Sequence, residues 1–110
     1  MSGALPVGVT NMASLVMLNV SMNLLEGRLD GAFVNASSLQ VVDLSENSFS
    51  GGLPWSLFRI GGLTTVLLYS NCFSGSLPAS LCSSVNLSTL VLDSLSGAGS
   101  CSESLPRWLF

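Results

Sequence analysis

Apolar residues recur along this chain at a fixed interval of 24 residues. The interval joins four leucines, and aliphatic residues follow each of them three and five positions later; the leucines are Leu15, Leu39, Leu63 and Leu87. Columns of asparagine, phenylalanine, glycine and leucine keep the same frame without an insertion. A period of this length indicates a solenoid, in which each repeat is one structural unit, here termed a rung, that stacks on the next.

Alternation within each rung predicts a short strand. In Val42-Asp43-Leu44 the two aliphatic residues point inward and Asp43 points outward. Strands of successive rungs, stacked at about 4.8 Å, form a parallel sheet on one face of the coil. A turn, an extended segment and a short helical turn complete each rung, and Pro54 and Pro78 fit the first position of that helical turn.

Two columns that follow the strands are predicted to be structural. The Asn ladder stands at the turn, where an amide side chain can bond backbone groups of its own rung and of the next rung; its members are Asn23, Asn47 and Asn71. The apolar spine points back into the coil and stacks from rung to rung; its members are Leu25, Phe49 and Phe73. A glycine column supplies positive φ or a close backbone approach.

Two stretches resemble a known repeat family. Residues 39–54, LQVVDLSENSFSGGLP, and residues 63–78, LTTVLLYSNCFSGSLP, resemble the plant-type leucine-rich repeat pattern LxxLxLxxNxFxGxLP. The resemblance extends over four rungs and a partial one, from residue 3 to about residue 93. The motif is specific for the fold and says little about the ligand.

The resemblance implies an α/β solenoid, a right-handed leucine-rich repeat coil of 24-residue rungs. Its concave face would hold a short-stranded parallel sheet, and its convex face short 3₁₀ or irregular turns. It also implies a non-catalytic recognition module in signal transduction, a fragment of the ectodomain of a receptor-like kinase or receptor-like protein, or part of a secreted inhibitory repeat protein. The ligand would be a peptide, a protein or a glycan on the concave face. The alternative is a structural or adhesive cell-surface repeat protein without a specific small ligand.

The repeat frame divides the chain into two regions. Residues 1–93 hold a partial rung at 1–12 and rungs that start near 15, 39, 63 and 87, and residues 94–110 form a degenerate rung or a C-terminal cap. We expect a fragment of a longer array, with a small self-contained repeat protein as the alternative. Neither a signal peptide nor a transmembrane segment is expected, since the N-terminus lacks basic and apolar regions and no run of about 18 apolar residues occurs. Uncapped solenoid ends would favour self-association.

The composition excludes several functional classes. Lysine and histidine are absent, and the formal net charge is −3. Binding to nucleic acid or to an anionic membrane surface is not expected, because both need clustered positive charge. Catalysis is not expected either, since Asp43 and Glu46 lie on an open sheet face and no base is present to activate a serine. No metal site and no cofactor are expected, and a kinase domain would have to lie in a missing downstream part.

Outward residues of the strands define the candidate ligand surface. Six positions combine acidic charge with apolar and aromatic area: Asp43, Glu46, Leu67, Tyr69, Val91 and Asp93. The alternative is a weakly constrained sheet face. Four strands about 4.8 Å apart expose only a few hundred Å², less than the ~800 Å² that each partner buries in a standard interface. The chain is therefore expected to hold part of a binding site.

Cysteines and glycosylation sequons bear on the compartment. A disulfide between Cys82 and Cys101 is expected, with two buried free thiols as the alternative, and Cys72 is expected to be unpaired. Three N-x-[ST] sequons support an extracellular or cell-surface glycoprotein; their acceptors are Asn19, Asn35 and Asn86. Asn35, on the convex side, is the favoured acceptor, and a glycan on Asn19 would cover the first edge of the concave face.

Overall fold

The strands of the chain form two parallel sheets. The structure is a computed structural model that describes residues 2–6, 8, 12–29, 31–74, 78–84 and 86–92. Its strands are β1 (Ser2–Ala4), β2 (Met17–Asn19), β3 (Leu24–Arg28), β4 (Val41–Asp43), β5 (Ser48–Gly51), β6 (Thr65–Leu67), β7 (Cys72–Phe73) and β8 (Thr89–Val91). Two 3₁₀ helices, η1 (Leu57–Arg59) and η2 (Ala79–Ser83), each precede the strand that opens the next rung.

The first sheet contains β2, β4, β6 and β8 in that order. Each strand has three residues, and the central residues pair in register across all four strands; they are Leu18, Val42, Val66 and Leu90. The first three are buried and the last is half-buried, whereas the flanking residues are exposed or half-buried. This arrangement confirms the parallel sheet predicted for the concave face.

The second sheet contains β1, β3, β5 and β7, where the sequence predicted only an extended segment. The segments LLEGR of β3 and SFSG of β5 contain no β-branched residue, so their local preference for strand structure is low. Stacking determines the conformation instead, because neighbouring rungs place these segments side by side and Glu26 pairs with Ser48. The glycine column supplies positive φ in this sheet, as expected: φ is 83°, 103° and 79° at Gly3, Gly27 and Gly51.

Apolar columns fill the interior of the coil. The apolar spine is buried at Leu25, Phe49 and Phe73, which confirms the inward direction predicted for these residues. Leucines of the repeat columns surround the spine in one continuous core; they include Leu29, Leu39, Leu44, Leu53, Leu57, Leu63 and Leu68. Each rung therefore buries its side chains against its neighbours as well as within itself.

Serine side chains connect the helical turns on the convex face to the preceding rung. The Ser56 hydroxyl oxygen accepts a hydrogen bond from the backbone N–H of Phe33 at 3.1 Å. One rung later, the Ser80 hydroxyl donates to the carbonyl oxygen of Trp55 at 2.8 Å. These two serines thus satisfy backbone groups that would otherwise lack a partner between rungs.

The Asn ladder also joins neighbouring rungs. Asn71 is buried, and its Oδ1 accepts a hydrogen bond from the N–H of Phe49 at 3.0 Å. Its Nδ2 donates to the carbonyl oxygen of Leu44 at 2.8 Å and to those of Leu68 and Tyr69 at 3.3 Å. Two of these partners, Phe49 and Leu44, belong to the preceding rung, so a single side chain holds two rungs together.

Asn47 repeats this arrangement one rung earlier. It accepts from the N–H of Leu25 at 3.1 Å and donates to the carbonyl oxygen of Val20 at 2.9 Å. The ladder therefore confirms the predicted bonds but corrects their direction, because the side chains reach the preceding rung rather than the next one. The reason is that the turn of the preceding rung presents both a backbone N–H and a backbone carbonyl to the asparagine, and this carbonyl also accepts from the asparagine of its own rung. Among the described residues, no buried side-chain nitrogen or oxygen lacks a hydrogen-bond partner.

The residue before each ladder asparagine has a left-handed backbone. Met22, Glu46 and Ser70 have φ of 56°, 55° and 57°. This conformation costs an L-residue roughly 1–2 kcal/mol, because its Cβ approaches the following carbonyl oxygen. The strain recurs once in each of the three rungs that start near residues 15, 39 and 63, and it belongs to the turn that places the asparagine.

Replacing Met22 with glycine is expected to raise the free energy of unfolding by up to about 1 kcal/mol, since glycine adopts this backbone conformation without the steric cost. The Met22 side chain is 75% exposed, so its loss removes little packing. Met17→Gly is the matched control, because Met17 is 61% exposed but lies in β2, where glycine lowers stability by about 0.5–1 kcal/mol. Urea denaturation measures both changes, and equal losses in the two variants would contradict the assignment of strain to Met22.

The cysteine pairing differs from the prediction. Cys72, in β7, is disulfide-bonded, and Cys82, in η2, is a free and exposed thiol. The predicted Cys82–Cys101 disulfide is therefore wrong, and so is the expectation that Cys72 is unpaired. The alternative of two buried free thiols is also wrong at Cys82, because its thiol is exposed in η2. Cys101, together with the predicted degenerate rung or cap at 94–110, lies outside the described residues.

Candidate ligand-binding surface

Outward residues of the first sheet form one row across its four strands. Asn19, Asp43, Leu67 and Val91 are direct partners in register. Asp43 and Leu67 are half-buried, Asn19 is exposed, and Val91 is 36% exposed. Since parallel strands lie about 4.8 Å apart, the row is roughly 14 Å long. The structure thus brings together three of the six residues predicted for the ligand surface.

Glu46 and Tyr69 lie just beyond the ends of β4 and β6. The N–H of Glu46 donates to the carbonyl oxygen of Tyr69 at 3.0 Å, so the two residues are neighbours across rungs. Glu46 is exposed and Tyr69 is half-buried. We define the concave patch as Asp43, Glu46, Leu67, Tyr69 and Val91. Asp93, the sixth predicted residue, lies outside the described part of the chain.

Asp43 has a structural role that the sequence pattern did not indicate. Its Oδ1 accepts hydrogen bonds from the N–H of Ser45 at 3.0 Å and from the Ser45 hydroxyl at 2.6 Å. Ser45 is 0% exposed as a result, although it lies in the repeat column of Tyr69, for which an outward side chain was predicted. Asn19 and Ser21 form the same turn one rung earlier, at 3.0 and 2.7 Å. One carboxylate oxygen of Asp43 therefore closes the turn after β4, and Oδ2 is the oxygen left for a ligand.

The concave patch is negatively charged. Its two carboxylates belong to Asp43 and Glu46, and the arginines of the described residues lie elsewhere. Arg28 is in β3 of the second sheet, and Arg59 is in η1, where its guanidinium carbon lies 5.3 Å from the ring centroid of Trp55. A surface that combines carboxylates with apolar side chains complements a ligand with a cationic group next to an apolar one.

The family comparison agrees with this architecture. Residues 38–60 and 62–84 each match the family model described as Leucine Rich Repeat. The two matches cover the rungs that contain β4, β5 and η1 and then β6, β7 and η2. The chain is built from leucine-rich repeats. In these repeats the Asn ladder and the apolar spine occupy the N and F positions of the pattern.

Solved plant leucine-rich repeat ectodomains share the fold. The BIR2 ectodomain from Arabidopsis thaliana aligns with 87% of this chain at 30% identity and a TM-score of 0.78. The GASSHO1/SCHENGEN3 ectodomain from Arabidopsis thaliana, in complex with Casparian strip integrity factor 2, aligns with 84% of this chain at 33% identity and a TM-score of 0.75. The ectodomain of the Arabidopsis receptor kinase HAESA, in complex with an N-terminally extended IDA peptide hormone, aligns with 86% of this chain at 30% identity and a TM-score of 0.65.

This leucine-rich repeat chain spans only part of each of these proteins. It covers 52% of the BIR2 chain, 11% of the GASSHO1/SCHENGEN3 chain and 15% of the HAESA chain. A search of curated proteins found no significant match. The similarity therefore concerns a few rungs of a longer ectodomain type.

A cleft on the convex side of the leucine-rich repeats was not predicted. It has a volume of about 280 Å³, and its lining includes the buried Phe33 and Ile60 together with the exposed Val34, Trp55 and Arg59. Ligand pockets usually measure ~300–1,000 Å³, so the cleft lies at the lower limit. Its residues come from two rungs. Trp55 was the signal in the sequence that could have indicated the cleft, because the neighbouring rungs have the small residues Gly31 and Ala79 in its column.

None of the helices in the described part of the leucine-rich repeat chain has the length and apolar character needed to cross a membrane. Nor do these residues include a group of three or more histidine, cysteine, aspartate or glutamate side chains placed to hold a metal ion.

Proposed function

We propose that the chain is part of an extracellular, non-catalytic recognition module, and that the concave patch binds a peptide. The observation that supports this proposal is the patch itself, in which the row of Asp43, Leu67 and Val91 adjoins Glu46 and Tyr69. The similar HAESA ectodomain binds a peptide hormone, and its 30% identity to this chain favours a ligand of the same class.

The chemistry of the patch defines the preferred peptide. Oδ2 of Asp43 and the carboxylate of Glu46 would accept charge-assisted hydrogen bonds from an arginine, lysine or N-terminal amine. Leu67, Tyr69 and Val91 would contact an apolar side chain next to that cation. We therefore propose a ligand segment in which a basic residue adjoins an apolar or aromatic one.

The proposed location is the cell exterior, as part of a longer protein. The disulfide of Cys72 supports an oxidising compartment, because disulfides persist mainly in secreted and extracellular proteins. The similar plant structures are ectodomains of receptors. Both observations favour a recognition role at the cell surface over an intracellular one.

The size of the patch limits the affinity of the isolated chain. A standard protein interface buries ~800 Å² on each partner, and the row of the concave patch is roughly 14 Å long. We therefore propose that the patch holds part of a longer peptide site. The isolated chain is expected to select short segments weakly, and flanking rungs would add contacts in the full ectodomain.

Panning a random peptide library on the secreted, immobilised chain tests the proposal. Enriched peptides should place arginine or lysine next to an aliphatic or aromatic residue. Failure to enrich any peptide, while the immobilised chain remains folded by circular dichroism, would contradict a peptide ligand and favour a larger protein or a glycan.

Glu46→Gln is expected to weaken binding of the enriched peptides about 3- to 10-fold, because it removes one carboxylate from the patch. Tyr69→Ala is expected to weaken it more than about 10-fold through loss of an aromatic contact. Glu26→Gln is the matched control, since Glu26 is exposed but lies in β3 of the second sheet. Fluorescence anisotropy of labelled peptides measures each affinity. Peptides that bind the Glu46→Gln and Tyr69→Ala chains as well as the parent chain would contradict the concave patch as their site.

A further inference from the structure

The acceptor nitrogens of the sequons at Asn19 and Asn86 are in different environments. In the folded rung, Nδ2 of Asn86 donates to the carbonyl oxygen of Gly61 at 2.8 Å. This bond joins two neighbouring rungs, so a sugar on Asn86 would compete with an inter-rung contact. Asn19 has the opposite arrangement, because its bonds involve the oxygen of the amide.

The turn after β2 fixes the orientation of the Asn19 amide. Its Oδ1 accepts hydrogen bonds from the N–H and the hydroxyl of Ser21 at 3.0 and 2.7 Å. Nδ2 has no hydrogen-bond partner among the described residues. Since Oδ1 and Nδ2 are at opposite edges of a planar group, holding Oδ1 against the turn directs Nδ2 away from it. Asn19 is exposed, so this nitrogen faces solvent on the strand side of the repeats.

We propose that Asn19 carries an N-linked glycan on the concave face of the exported protein. The donor is an oligosaccharide linked to a lipid pyrophosphate. Nδ2 attacks C1 of the first sugar, the C–N bond forms as the C1–O bond breaks, the nitrogen loses one proton and the lipid pyrophosphate leaves. The folded rung accommodates the product, because the hydrogen bonds of this turn use Oδ1 and not Nδ2.

Asn19 is the one residue in the outward row of the first sheet that can carry an N-linked glycan. Asp43 makes the same pair of bonds to Ser45 one rung later, but a carboxylate has no amide nitrogen to be glycosylated. Leu67 and Val91 complete the row. The glycan would therefore stand at one end of the row, directly beside Asp43.

A glycan on Asn19 would also affect peptide binding at the concave patch, and this step rests on the proposed function. A glycan on Asn19 would cover the surface around β2, including the exposed side chain of Met17. A peptide bound to the concave patch would then extend from Asp43 toward Val91 and away from β2. The sugar would thus define one boundary of the binding surface.

Peptide mapping of the chain, secreted from eukaryotic cells behind an added signal peptide, tests the glycan. The three glutamates separate the sequons, because cleavage after Glu26, Glu46 and Glu103 places one sequon in each of the peptides 1–26, 27–46 and 47–103. Enzymatic release of the glycans in heavy-oxygen water converts each formerly glycosylated asparagine into labelled aspartate. Mass spectrometry then gives the occupancy of each site.

The expected result is a labelled 1–26 peptide in most molecules and a lower occupancy in the 47–103 peptide. Ser21→Ala, which destroys this sequon but keeps Asn19, should remove one glycan from the intact mass. Ser88→Ala, which destroys the sequon of Asn86, should leave the 1–26 peptide labelled. Recovery of an unlabelled 1–26 peptide from the secreted chain would overturn the proposal.

A separate measurement tests the boundary. Peptides selected on the concave patch should bind the glycosylated chain and the Ser21→Ala chain within about twofold. If the glycan strongly inhibited peptide binding, it would not be a boundary of the binding surface, although Asn19 would still be a glycosylated site. Occupancy is measured without any peptide, so a failure of the proposed peptide binding is distinguishable from a failure of the glycan.

Discussion

Phe49→Ala is expected to lower the free energy of unfolding by about 3–5 kcal/mol. Phe49 is 0% exposed and lies between Leu25 and Phe73 in the apolar spine. Its removal would leave a cavity that rigid backbone on both sides cannot close, because β5 pairs with β3 and β7. Small domains are stable by ~5–15 kcal/mol in total, so this variant should lose a large fraction of its folded population. Urea denaturation followed by circular dichroism measures the change.

Phe49→Leu is the matched control for the apolar spine. Leucine already occupies this column at Leu25, so it fits the inward direction of the side chain. We expect a smaller loss of about 1–2 kcal/mol, because most of the apolar contact remains. A Phe49→Ala chain that is as stable as the Phe49→Leu chain would contradict the stacked spine.

Asn71→Ala is expected to cost about 2–4 kcal/mol, because it leaves buried backbone groups without partners. The N–H of Phe49 would lose the Oδ1 of Asn71, and the carbonyl of Leu44 would lose its 2.8 Å bond. Both groups belong to the rung before Asn71. The loss should therefore appear as weaker coupling between rungs, with faster amide hydrogen exchange in residues 44–49.

Asn86→Ala is the control for this substitution. Asn86 is exposed and donates one bond, to the carbonyl of Gly61. We expect a loss of about 0.5–1 kcal/mol in protein without glycans, in line with a single ordinary hydrogen bond. Equal losses for Asn71→Ala and Asn86→Ala would show that the ladder contributes no more than a surface amide.

The first sheet could be predicted from the sequence because each strand has a buried centre between outward neighbours. Val42 and Val66 follow this rule directly. The second sheet could not be predicted, since LLEGR and SFSG have only a low strand preference of their own and pair once the rungs are stacked. The direction of the Asn ladder bonds could not be predicted either, because it depends on which backbone groups of the neighbouring turn face the asparagine after folding.

Positions in the candidate site could be predicted more readily than their chemistry. Alternation along β4 and β6 predicts that Asp43 and Leu67 point outward, and in the structure the two residues are register partners and half-buried. It did not show that Ser45 is buried against Asp43, because this bond depends on the turn that follows the strand. Nor did it show the disulfide of Cys72 or the convex cleft beside Trp55, since both depend on contacts made only after folding.

Recognition of a peptide through the concave face can be measured by hydrogen–deuterium exchange of the chain with and without a library-selected peptide. We expect the bound peptide to slow exchange in residues 41–46 and 65–69, which include most of the concave patch, and to leave exchange unchanged in residues 55–61 beside the convex cleft. The Glu46→Gln chain should show weaker protection at the same peptide concentration. Protection confined to residues 55–61 would contradict binding at the concave patch and assign the ligand to the convex cleft.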